Sequence, residues 1–72
     1  MNEPESDTER WALELHKLTT TFDATAARLT WDRACEIEIQ VMAALNHPDH
    51  WHTLGMFGEV LQSLKDRARE YL

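Results

Sequence analysis

Seventy-two residues with a net charge of −6, from thirteen acidic and seven basic side chains, make one small acidic domain. A chain this short buries only about 60% of the surface its unfolded form exposes, so its core is marginal and calls for a staple or a partner chain. An internal disulfide is excluded because Cys35 is the lone cysteine.

Charge also narrows the partners. Arg10, Lys17, Arg28 and Arg33 are dispersed, and Lys65, Arg67 and Arg69 are interleaved with Asp66 and Glu70, so no basic patch offsets the repulsion of a nucleic-acid duplex. Direct nucleic-acid binding is therefore not expected. No run of about 18 apolar residues offers a membrane span. The segment Met1 to Glu9 carries four acids and no base, the reverse of a secretory leader, which points to a cytoplasmic protein. A single cysteine within an apolar helix reads as a small buried side chain in a reducing compartment.

Residues 1–7 have few apolar side chains and include Pro4, and read as a disordered acidic tail. The helical domain covers residues 8–72. Ser6 followed by Glu9 fits a capping box, in which hydroxyl and carboxylate satisfy two free amide donors. Trp11, Leu15, Leu18, Phe22, Thr25 and Leu29 then repeat at alternating four- and three-residue steps, the period of a helix burying one narrow stripe. The first helix is expected over about residues 8–29. Its weak point is Thr19-Thr20-Thr21, where Thr21 or Asp23 could cap a new helix instead. Leu13 lies on the far side.

Thr30 can cap a second helix over residues 31–45, ended by Asn46 and Pro48. Its apolar arc, from Ala44 and Ile37 through Val41, Ala34 and Leu45 to Trp31, Met42, Cys35 and Ile39, covers more than half the circumference. An amphipathic surface helix needs only about a third, so this one must be covered on two sides. Glu38 sits within the arc. An isolated buried carboxylate is costly, so Glu38 should be paired with Arg28, Arg33 or a histidine, or lie at an interface.

A third helix over about residues 49–71 starts between Pro48 and Thr53, with Pro48 at a first-turn position, or Asp49 or Thr53 as cap. Its stripe is Leu54, Phe57, Leu61, Leu64, Ala68 and Tyr71. Gly55 and Gly58 belong to no phosphate loop, and their cost inside a helix suggests close approach of a neighbouring helix. Short links make the fold all-α, an up-down-up three-helix bundle that dimerises through helical faces. Trp31, Met42, Trp51, Met56 and Val60 remain as apolar surplus and are the expected contact residues for a second copy or a larger partner.

His47, His50 and His52, spaced H-x2-H-x-H around Asp49, offer ligand chemistry suited to zinc, nickel or copper. On a helix His50 and His52 point about 200° apart, so the segment reads first as a polar connector and only second as a metal site. No H-E-x-x-H or paired-cysteine motif is present, no nucleophilic triad can be assembled from Ser6 or Ser63, and no cofactor is expected. The functional expectation is a non-enzymatic helical interaction module, a homodimer that regulates or inhibits a larger protein. The alternatives are a metal-binding protein using His47–His52 and a helix-turn-helix regulator formed by the second and third helices.

Overall fold

A computed structural model describes residues 7–72. Among these residues the chain forms three helices: α1 (Asp7–Thr20), α2 (Ala27–Leu45) and α3 (Trp51–Arg69). A single turn of 3-10 helix leads into each of the last two, at Ala24–Ala26 and Pro48–His50. The bundle is all-α and runs up-down-up. Trp11 meets Gln40 and Glu14 meets Arg33, so α1 and α2 run in opposite senses. Lys65 meets Glu38, and Phe22 before α2 meets Tyr71 after α3, so α2 and α3 are likewise opposed.

The expected first helix is broken. It stops at Thr20, and Leu29 belongs to α2, where it is 71% exposed. Three threonines mark the stop. Thr19 donates its hydroxyl to the Leu15 carbonyl at 2.8 Å, and Thr20 and Thr21 donate to the Lys17 carbonyl at 3.2 and 2.7 Å. The Lys17 carbonyl also accepts the Thr21 amide at 3.0 Å, so the last turn of α1 closes in the ordinary way and the hydroxyls add to it. Asp23, in extended backbone at φ −154°, then accepts from the Thr25 amide at 2.7 Å and its hydroxyl at 2.8 Å. That cap starts a new element, and local polar chemistry overrides the continuous hydrophobic phase. Thr30, expected as a cap, is instead a buried residue inside α2.

The second connection also differs in its cap. His47, not Asp49 or Thr53, takes that role, its Nδ1 accepting from the Asp49 amide at 3.2 Å with Pro48 in the first turn. Ser6 and the rest of residues 1–6 lie outside the described residues, so the capping box and most of the expected tail are not seen; Asp7 already belongs to α1.

The core joins Trp11 and Leu15 of α1, Ala34, Ile37, Val41 and Leu45 of α2, and Phe57, Leu61 and Leu64 of α3. Leu18 and Leu54 pack against it, partly buried. On α2 the buried line is Ala27, Thr30, Ala34, Ile37, Val41 and Leu45, a stripe at three- and four-residue steps. The wide apolar arc is thus divided: one edge faces the core, and Ile39 and Met42 face outward. α2 and α3 share most of the interhelical contacts, and α1 lies across them on fewer. Trp11 anchors α1, its ring edge-on to Phe57 at 6.0 Å and its Nε1 donating to Gln40 Oε1 at 3.1 Å.

Candidate interaction site

Two different surfaces gather Ile39, Met42, Trp51, Met56 and Val60, while Leu13, Leu29, Tyr71 and Leu72 are exposed outside them. The first is a groove of about 440 Å³ between α1 and α3. Leu15 and Phe57 form its buried floor, Ala12, Met56 and Val60 its apolar walls, and His16, Thr19 and Thr53 its polar rim. Met56 is 57% and Val60 44% exposed, though both lie against the groove. They are four residues apart on one helical face, which is why they share it.

The second surface lies on the other side of α3 and along α2. Trp51 stands five residues before Met56, about 140° around the helix, so the two cannot line one contact patch of a straight helix. Trp51 falls instead on the side of α3 from which Lys65 reaches α2. There Lys65 Nζ lies 3.0 Å from Glu38 Oε1 and 5.6 Å from the centre of the Trp31 ring. Trp31 is half-buried beneath this cation, while Met42 and Ile39, farther along α2, are 57% and 69% exposed.

The five expected contact residues are therefore split. Met56 and Val60 flank the groove; Trp31, Met42 and Trp51 lie on the opposite side of the α2–α3 pair. Glu38 is paired, but with Lys65 rather than Arg28, Arg33 or a histidine. Arg28 pairs with Asp32 at 3.4 Å, and Arg33 turns toward Glu14 and Glu36. Cys35 is half-buried, short of the full burial expected, because its helix face turns partly to solvent.

Gly55 and Gly58 also depart from expectation. A Cβ built on either would meet nothing within 4 Å, so among the described residues no neighbouring helix approaches them closely. They lie bare on the outer face of α3, four and seven residues after Trp51.

Arg33 closes the other side of the bundle. Its Nη2 donates to Glu14 Oε1 at 2.7 Å, its Nε to Glu14 Oε2, and its Nη1 to Glu36 at 2.9 Å. This two-pronged hydrogen bond, aided by the Arg33 and Lys17 charges and opposed by partial burial, holds the Glu14 carboxyl below its usual value. The Glu14 and Glu36 partners raise the Arg33 pKa.

The histidines do not converge. The His47 and His50 rings lie 6.0 Å apart at 57°, and His52 follows in the first turn of α3. Among the described residues no group of three or more histidine, cysteine, aspartate or glutamate side chains is placed to hold a metal ion. No helix of the described residues is long and apolar enough to cross a membrane.

Sequence reasoning missed the rim of the groove, His16 and Thr19, and the role of Lys65. Nothing in the spacing links Lys65 to Glu38, 27 positions away. Ile39 was visible in the apolar arc, yet which edge of that arc faces solvent follows only from where α1 lies. Comparison with protein-family models, curated proteins and solved structures finds no significant match to this chain.

Proposed function

We propose that the protein is a non-enzymatic helical interaction module, a cytoplasmic homodimer that regulates or inhibits a larger protein. The observation that carries this reading is the exposure of large apolar side chains on both sides of a small domain, with Ile39 at 69%, Trp51 at 58% and Met42 and Met56 at 57% each. Exposed apolar residues scattered singly, as Leu13 and Leu29 are, are ordinary, but these others are grouped by helical face. Tryptophan and methionine are also residues that interface cores favour.

The division into two surfaces gives each a separate task. The α1–α3 groove has the form that takes the apolar face of an amphipathic helix, with Met56 and Val60 as walls. It is assigned to the larger partner. The opposite side, with Trp51, is assigned to self-association. The acidic charge of −6 would then speed encounter with a basic partner surface and exclude acidic ones.

The test is affinity capture from the cells that make the protein, comparing the unmodified chain with Met56→Glu/Val60→Glu. A partner retained by the first and lost with the second, while circular dichroism shows equal helix content, supports the reading. Equal capture by both removes the groove as the partner site.

A further inference from the structure

The charges of this chain are unevenly placed. Twenty of its 72 residues are acidic or basic, yet from Ile39 through Gly58 only Asp49 is. These residues form the end of the α2–α3 pair: the last turns of α2, the 3-10 turn and the first turns of α3. The end is thus nearly free of formal charge on a molecule that otherwise carries many acids. It also bears Ile39, Met42 and Trp51, each more than half exposed.

We infer that this end is a self-association surface on which Trp51 of one copy packs over the Gly55–Gly58 notch of a second copy, α3 lying antiparallel to α3; the inference rests on the homodimer reading above and gives it a seam. Three observations on α3 lead there. Trp51, Gly55, Gly58 and Gln62 follow one another at four-, three- and four-residue steps and share one outward face. Trp51 is 58% exposed, and both glycines face open space, so a projecting ring and an empty notch sit side by side unused. A twofold interface must carry both halves of each contact on the same patch, and this stripe does. Set antiparallel about a point between Leu54 and Gly55, each Trp51 lies opposite the other copy's Gly58.

Charge selects a second copy as the occupant. Two molecules of charge −6 repel unless they meet where the charges are absent, and this end is that place. A lipid surface with acidic head groups finds no lysine or arginine here, since none occurs between Ile39 and Gly58.

The glycines make the test unusually discriminating. Within one copy, Gly55→Gln/Gly58→Gln adds side chains that point into solvent and removes two helix-weakening residues. The melting temperature at a concentration where only monomer exists should therefore rise by about 4 °C or more. In the seam the same side chains fill the notch. Sedimentation equilibrium over two decades around micromolar concentration should show the unmodified chain as a dimer, with association weakened at least about tenfold in this variant and in Trp51→Ala.

If the unmodified chain dimerises and the glutamine variant dimerises equally well, the seam is overturned while the homodimer reading stands. If the unmodified chain is monomeric throughout, both fall. Neutral phosphatidylcholine vesicles provide the remaining arm: binding to them by a monomeric chain, lost in Trp51→Ala, would assign this end to lipid and overturn the inference.

Discussion

Lys65 Nζ lies 3.0 Å from Glu38 Oε1, and this pair ties the middle of α2 to the second half of α3. The lysine is the more enclosed partner, with 16% of its side chain exposed against 34% for the glutamate, because the Trp31 ring shields it. Removing the cation alone leaves a partly buried carboxylate without its partner. Lys65→Met should therefore cost about 1–2 kcal/mol in urea denaturation. Adding Glu38→Leu should recover part of that loss. Strictly additive costs in the double-mutant cycle would show that the two groups do not interact energetically.

Burial ranks the leucines. Leu61 is 2% exposed at the centre of the core, and Leu61→Ala should destabilise by about 2–5 kcal/mol, a large share of what so small a domain possesses. Leu18 packs at the edge and should cost less than Leu61. Leu13, 65% exposed, should cost under about 0.5 kcal/mol. Thermal unfolding of the three alanine variants checks the order, and a costly Leu13→Ala would place that face of α1 in an interface.

The Glu14–Arg33 contact gives stability a direction in pH. The folded state holds the Glu14 carboxyl below its ordinary value of 4.5, chiefly through the Arg33 hydrogen bonds. A group depressed on folding contributes stability above its unfolded pKa and loses it as pH falls through the folded value. Arg33→Gln should therefore weaken the fold at neutral pH, by about 1 kcal/mol or less since both groups are partly exposed, and have least effect in acid below both values. Chemical denaturation of both chains across the acid limb checks this. A difference that grows as pH falls would contradict the sign.

The histidine segment should hold zinc only weakly. His47 already uses Nδ1 to accept from the Asp49 amide, and no three ligating side chains are gathered among the described residues. Isothermal titration with zinc is expected to show no stoichiometric sub-micromolar site. Such a site, lost in His47→Ala and His50→Ala, would make metal binding the leading function.

The three-helix architecture was legible because α3 and the first half of α1 bury ordinary three-four stripes, with Trp11, Leu15, Phe57, Leu61 and Leu64 where their phase puts them. The break after Thr20 was written in the sequence but outvoted. Phe22 and Leu29 continue the phase of Trp11, yet the Asp23 cap on Thr25 starts a new element between them. Phe22 leaves the helix and still finds apolar contact, beneath Arg67 and beside Tyr71. The site was half legible. Composition singled out Trp51, Met42 and Met56 as surplus, but only packing shows that α3 turns Met56 toward α1 and Trp51 away from it.

The connection of residues 21–26 between α1 and α2 has a consequence for how the molecule breathes. It joins a well-packed pair of helices to one held chiefly through Trp11, Leu15 and the Arg33 contact. Amide protons of α1 should therefore exchange with solvent through local detachment of that helix, ahead of the slowest amides of α2 and α3, which await global unfolding. Each such excursion would swing one wall of the groove away from Met56 and Val60 and widen it, so a bulky partner helix could enter from the side.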